Sequence, residues 1–282
     1  QQAWSAIFRM NHDQSIEIKG QEVYMDFYHR LLEAAGSDHV LRDEPMAVHT
    51  TFRIGGPADY FVEPADASAL AKGIALCREV DVDYFVTGNG SNLLVRDKGI
   101  RGAVIQIYNR MAEITIEGNT IHTKGGALLS AVAARAADKG LTGLEFASGI
   151  PGSLGGAVVM NAGAYGGEMK DVLESVTVLT GEGKIIELGR NELELGYRTS
   201  VIAKKGYIVL GAALKLERGD GEKIKTYMDE LKEKRVTKQP LEYPSAGSTF
   251  KRPEGYFAGK LIEDAGLRGF QVGGAQVSEK HC

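Results

Sequence analysis

This chain of 282 residues has only two cysteines, Cys77 and Cys282, and neither stands in a C-x-x-C pair. That excludes the common zinc and dithiol redox motifs, and no metal site is expected. No apolar run approaches the length of a membrane span, and no signal-peptide pattern is present, so the chain reads as cytoplasmic, without membrane insertion. Positive charge is not in excess: 33 Lys+Arg stand against 37 Asp+Glu, a net charge of −4. That balance speaks against nucleic acid or an anionic membrane as the main partner. The phosphate loop G-x-x-x-x-G-K-[ST] is missing. So is the dinucleotide fingerprint G-x-G-x-x-G: in Gly88-Asn89-Gly90-Ser91-Asn92-Leu93 a leucine holds the third glycine position.

What is abundant is glycine, and it is clustered. Gly149 to Gly167 reads GIPGSLGGAVVMNAGAYGG, with seven glycines in nineteen residues around the apolar run AVVM. A flexible linker would not carry Val158, Val159 and Met160, and a low-complexity tract would repeat. Either the backbone must approach a phosphate-rich ligand closely, or the chain turns a tight corner in a β-rich fold. Thr87 to Leu94, TGNGSNLL, follows the strand-like run Val82–Val86 and leads into the apolar run Leu93-Leu94-Val95. The turn therefore lies between two segments expected to be buried. An ordinary Asn/Gly hairpin is the alternative.

The rest of the pattern is α+β, without the regular alternation of a doubly wound sheet. Helices are expected from about Glu22 to Ala35, ended by Gly36, from an Asp66 cap to about Glu79, over Leu128–Asp138, and over a charged stretch near Lys223–Arg235. Strands are expected near residues 58–63, 103–107, 112–116, 120–123, 175–179, 184–188 and 208–215. Cys77 shares an apolar helix face with Leu70 and Ile74 and reads as a small buried hydrophobe. The length allows two or three domains with ample core.

Several segments in one order carry a family resemblance. They are HTTFRIGGPADYFVEP (49–64), TGNGSNLLV (87–95), GLEFASGIPGSLGGAVVMNAGAYG (143–166), GYRTS (196–200), PSAGSTFKRP (244–253) and AGLRGFQVGGAQVSEKH (265–281). From about Glu44 to the last residue the chain resembles the UDP-N-acetylenolpyruvoylglucosamine reductase (MurB) family of peptidoglycan precursor synthesis. The resemblance implies a two-subdomain FAD-binding fold of the vanillyl-alcohol-oxidase/p-cresol-methylhydroxylase type, plus a smaller α+β substrate domain. On that reading residues 1–20 are an extension or tag remnant, 21–95 and 96–218 are the two FAD-binding subdomains, and 219–282 is the substrate domain. The implied activity is NADPH-driven, FAD-dependent reduction of a UDP-sugar enolpyruvyl ether, in a monomer.

Residue by residue, Ser248 matches the family's proton donor, with a bond to its own backbone in a glycine turn as the alternative. Arg198 matches the arginine that holds the substrate carboxylate and steadies the enolate, since a guanidinium offers forked donors and stays charged. The alternative is a surface arginine beside a turn. Tyr197 next to it suggests a partly buried site and is read as a substrate contact or a structural tyrosine. For FAD, Thr87, Gly88, Asn89, Gly90, Ser91, Asn92 and Leu93 are expected to cradle the pyrophosphate. Gly149, Ile150, Pro151, Gly152, Gly155, Gly156 and Gly163 are expected to line the remainder. Asn161 would offer its amide, and Ala157 and Ala162 would let the ring system pack closely. Arg53, Ile54 and Gly55 would form another flavin wall. The flavin is expected to be non-covalent, leaving His49 as a structural histidine. Lys238 and Lys251 are read as phosphate contacts or as solvated lysines. The family carries a glutamate after the SEKH motif, and this sequence stops at Cys282. The reading at this point is therefore of a C-terminally shortened chain with some apolar surface exposed. Its alternatives are FAD binding without turnover, and another flavin oxidoreductase of the same fold.

Overall fold

The computed structural model describes residues 20–36, 39–245 and 247–282, with side chains from Phe27 onward. The extension expected over the first residues lies outside them. A first, four-stranded sheet runs in the order Val40–Pro45, Pro57–Val62, Ile100–Gln106, Tyr84–Thr87. Its first pair is antiparallel and the other two are parallel. Strand alternation divides its side chains. Tyr60, Val62, Ala103 and Ile105 face the helices Gly20–Ala35 and Ala67–Glu79, where Phe27, Leu31, Leu70, Ile74 and Cys77 meet them. Phe61 and Val104 point the other way, into a small cluster with Met46, Ala58 and Val95. Asp66 caps its helix as expected, accepting from the Ala69 N–H at 2.8 Å. The sheet runs past residue 95, because Ile100–Gln106 is its inner strand.

The second sheet has five antiparallel strands in the order Ile185–Gly189, Leu173–Leu179, Ile208–Lys215, Thr120–Lys124, Ile114–Glu117. Its inner strand is buried on both faces. Val209, Ala212 and Leu214 join a core built on helix Leu129–Asp138, while Leu210, with Leu179, closes the core of the first sheet. The two sheets are thus joined through shared apolar packing.

Helix Gly221–Lys238 follows, its N-terminus capped by Asp220, which accepts from the N–H groups of Glu222 and Lys223 at 3.0 and 3.3 Å. Ile224 and Leu231 are its buried anchors. Beyond it come helix Ala258–Asp264 and the short hairpin Gln271–Val272/Ala275–Gln276. No described side chain after Leu231 is fully buried.

Several parts of the fold departed from the sequence pattern. Strand Val40–Pro45 reads VLRDEP, largely exposed and polar, because it is an edge strand. Helix Leu154–Val159 lies inside the glycine-rich run, held by its Ser153 cap and not by propensity. The Leu93–Val95 run is not a buried segment: Leu94 is exposed and only Val95 is buried, since no strand forms there.

Candidate functional site

Strand Tyr84–Thr87 delivers the first glycine turn to the end of the first sheet. The buried Gln106 fixes its start by donating Nε2–H to the Gly88 carbonyl at 2.9 Å. Gly90 holds its middle, accepting from the Thr51 N–H at 3.4 Å. Gly90 has φ +59, and a Cβ there would lie 2.0 Å from the His49 carbonyl oxygen, so glycine is required.

The second glycine segment stands directly opposite. Asn89 Nδ2 donates to the Pro151 carbonyl, and Asn92 Nδ2 lies 3.4 Å from Met160 Sδ. A Cβ on Gly88 would come within 2.2 Å of Ser153 Oγ, and one on Gly152 within 3.5 Å of Ser91 Oγ. Among the described residues, none of the N–H groups of Asn89, Gly90, Ser91 and Asn92 donates to a protein acceptor. A cradle kept open by missing side chains, with successive unspent N–H groups, suits a diphosphate.

The second segment uses its backbone differently. Leu154 N–H donates to Ala127 O at 2.7 Å, Gly155 to Gly125 O at 2.8 Å, Ala157 to Ser153 O at 2.9 Å and Ala162 to Ala157 O at 2.8 Å. A Cβ on Gly155 would sit 3.1 Å from Gly125 O, and one on Gly163 2.7 Å from Gly167 O. These glycines serve helix-to-strand and strand-to-strand contact. Gly149, Ile150, Pro151, Gly152, Gly155, Gly156 and Met160 keep exposed or half-exposed surface.

Three of the expected cofactor contacts are buried side chains. Ala157 and Ala162 belong to the protein core. Asn161 is 3% exposed, and its amide is committed to protein. Its Nδ2 donates to Glu168 Oε2 at 2.9 Å and to Gly196 O at 3.2 Å, and its Oδ1 accepts from Lys170 N–H at 2.9 Å.

Tyr197 and Arg198 form the tip of a tight turn whose bases, Gly196 and Thr199, exchange backbone bonds of 3.1 and 3.3 Å. Arg198 takes φ +54 and projects outward. Tyr197 is 57% exposed, so the partly buried site expected from it is not what forms. Glu168 stands near Arg198. Its carboxyl is held below the ordinary value first by the hydrogen bond from Lys170, and further by Asn161 and by the charges of Lys170 and Arg198.

The segment carrying Ser248 is tethered at two points. Ser245 exchanges bonds with Thr51, its N–H donating to Thr51 O at 3.2 Å and its carbonyl accepting from Thr51 Oγ1 at 2.7 Å. Arg252 N–H donates to the Tyr197 hydroxyl at 3.2 Å. Ser248 therefore lies on a span running from the loop that grips Gly90 to the turn that carries Arg198. Ser245 Oγ accepts from Gly247 N–H at 3.0 Å, just before Ser248. Ser248, Lys251 and Lys238 are exposed.

Arg53 and Ile54 are exposed in the loop that follows Thr51, and Gly55 packs inward at φ +136, where a Cβ would fall 2.7 Å from Val95 Cβ. His49 is engaged elsewhere, with Nε2 2.8 Å from Glu44 Oε1 and its ring stacked on Phe61 at 3.8 Å. Sequence reasoning missed Arg235. Its Cδ would lie 2.9 Å from a Cβ on Gly149, burial lowers the pKa of its guanidinium, and no ion pair engages it among the described residues. The available signal was a lone arginine in a lysine-rich helix end that becomes half-buried.

Comparisons with known proteins meet this geometry. Residues 58–189 match the family described as FAD binding domain, and residues 239–282 match the C-terminal domain of UDP-N-acetylenolpyruvoylglucosamine reductase. The UDP-N-acetylenolpyruvoylglucosamine reductase of Agathobacter rectalis is 62% identical over 255 residues, covering 86% of this chain and 81% of that one. The Clostridium perfringens enzyme of the same name is 54% identical over 258 residues, covering 92% and 84%. The crystal structure of UDP-N-acetylenolpyruvylglucosamine reductase (MurB) from Thermus caldophilus aligns with TM-score 0.74 at 38% identity, over 86% of this chain and 85% of that one. Wild-type Phl p 4.0202, a glucose dehydrogenase, aligns with TM-score 0.52 at 14% identity over 70% of this chain and 44% of its own, a likeness of fold alone.

Proposed function

The chain belongs to the UDP-N-acetylenolpyruvoylglucosamine reductase family, and on that footing we propose that it reduces UDP-N-acetylglucosamine enolpyruvate to UDP-N-acetylmuramate, with non-covalent FAD and with NADPH as reductant. The observation that carries the reading is the row of unspent N–H groups at Asn89–Asn92 facing Gly149–Gly152, with the Ser248 span tied to both that region and the Arg198 turn. When bound, FAD supplies the hydride chemistry that links NADPH to the enolpyruvyl double bond. The turn Gly88–Leu93 would hold its pyrophosphate, with Arg53 and Ile54 beside it.

Addition of hydride at the terminal alkene carbon leaves negative charge next to a carboxylate. Arg198 would bind that carboxylate and stabilise the developing enolate through its forked donors. Ser248 would give a proton to the α-carbon, its side chain being exposed on the span between Thr51 and Tyr197. Tyr197, Lys238 and Lys251 would contact the UDP-sugar. We divide the chain into a first subdomain through Gln106, a second from Ile114 to Leu216 and a substrate domain from Asp220 onward. We further take it to be a cytoplasmic monomer.

The test is the visible spectrum of the purified protein under anaerobic conditions. A bound flavin should bleach with NADPH and recover its colour when the enolpyruvyl sugar is added. Bleaching without recovery would reduce the proposal to flavin binding alone, and absence of flavin after FAD addition would end it.

A further inference from the structure

Asn161 stands where the chain leaves helix Leu154–Val159, at φ +42, a left-handed conformation that asparagine tolerates better than most L residues. Both hydrogens of its buried amide and its oxygen are used. One hydrogen goes to Gly196 O at 3.2 Å and the other to Glu168 Oε2 at 2.9 Å, while the oxygen takes the Lys170 N–H at 2.9 Å. Gly196 is the base of the turn that displays Tyr197 and Arg198. On the far side of that turn the fully buried Ser200 donates Oγ–H to Val159 O at 2.7 Å and accepts from Ala203 N–H at 3.2 Å. The turn is therefore fastened at both ends to the C-terminal end of the glycine-rich helix, at Gly196 through Asn161 and at Ser200 through Val159. Asn161 also holds the Glu168 carboxylate, which lies two residues before the Lys170 N–H that its oxygen takes.

We propose that Asn161 is the positioning residue for Arg198: its buried amide sets the base of the Tyr197–Arg198 turn. A satisfied buried amide with three partners specifies one geometry, and displacement of any partner leaves another unpaired. The inference rests on the reading that Arg198 binds the substrate carboxylate.

Asn161→Gly keeps the backbone conformation and removes all three bonds. Asn161→Asp keeps size and shape, loses both donated bonds and sets a second carboxylate against Glu168. Two quantities are read on the full chain with FAD. One is the anaerobic reoxidation rate of the NADPH-reduced flavin by the enolpyruvyl sugar. The other is the sugar Kd from its perturbation of the oxidised flavin spectrum, which needs no turnover. Either variant should slow reoxidation, or raise Kd, by about tenfold to a hundredfold. Flavin content and bleaching by NADPH should stay within about twofold of the parent. In an Arg198→Ala background the Asn161 change should add no more than about twofold. A loss that multiplies fully on top of Arg198→Ala, or a matching loss of flavin, overturns the positioning role and leaves a merely structural one. If Arg198→Ala itself changes neither quantity, the reading of Arg198 is what fails, and the positioning role goes with it.

Discussion

The two glycine-rich regions face one another and look alike on paper, but they spend their backbone in opposite ways. In the turn at Gly88–Asn92 glycine makes room: Gly88 leaves space for Ser153, and Gly90 reaches φ +59 against the His49 carbonyl. The N–H groups from Asn89 to Asn92 remain unspent among the described residues. In the run from Gly149 to Gly167 the N–H groups of Leu154, Gly155, Ala157 and Ala162 go to protein carbonyls, and Gly155 and Gly163 let backbone meet backbone. The first region keeps donors for the pyrophosphate proposed above, and the second packs against a strand. Glycine density alone does not separate ligand cradles from tight joints; the destination of each N–H does.

Substitutions test that contrast. Gly90→Ala should have the largest effect, because its Cβ would lie 2.0 Å from a main-chain oxygen that cannot swing away, at a positive φ. With about 1–3 kcal/mol of strain concentrated in the cradle, FAD affinity should fall by about tenfold or more, read by titration of apoprotein. Unchanged affinity would break the assignment of the turn. Gly155→Ala should act on the fold instead. A Cβ 3.1 Å from Gly125 O overpacks the helix against its neighbour, costing about 1–3 kcal/mol and lowering Tm by about 2–10 °C. FAD affinity of the folded protein should stay within about twofold, the usual limit for uncoupled sites. Flavin loss equal to that of Gly90→Ala would erase the distinction between the two regions.

The smallest effect concerns Glu168, which borders the second region. Its carboxyl sits below the ordinary value of 4.5, first because of the Lys170 hydrogen bond. A depressed folded value stabilises the protein above the unfolded value and is lost as pH falls through the folded one. The Tm difference between parent and Glu168→Gln should therefore be greatest near neutrality and shrink below about pH 4.5, the ordinary glutamate range. The side chain is 35% exposed, so screening keeps the difference small. A difference independent of pH would mean that the Lys170–Glu168 contact contributes nothing to folding.

The long periodic elements were legible: the helices ending at Ala35, Glu79 and Asp138, and the inner strand Ile208–Lys215, all follow apolar spacing. Edge strand Val40–Pro45 was not, because exposure removes the alternation that marks a strand. At the site, the turn at Gly88–Leu93 and the Tyr197–Arg198 pair were readable as motifs. Arg235 was not, because half-burial of a helix-end arginine is decided by what packs on Gly149.

The sequence by itself determined the composition of the proposed site. It set glycine at Gly90, where a Cβ would meet a main-chain oxygen, placed the family's ordered motifs, and supplied the arginine and the serine proposed for the chemistry. Only the tertiary structure decided which donors remained free and which side chains were diverted. Asn161, Ala157 and Ala162 sit inside a motif that promises cofactor contact, yet they are turned into the core and toward Gly196. The reason is that hydrogen-bond partners here lie far apart in sequence. Asn161 with Gly196, Thr51 with Ser245 and Tyr197 with Arg252 meet only once both sheets are assembled.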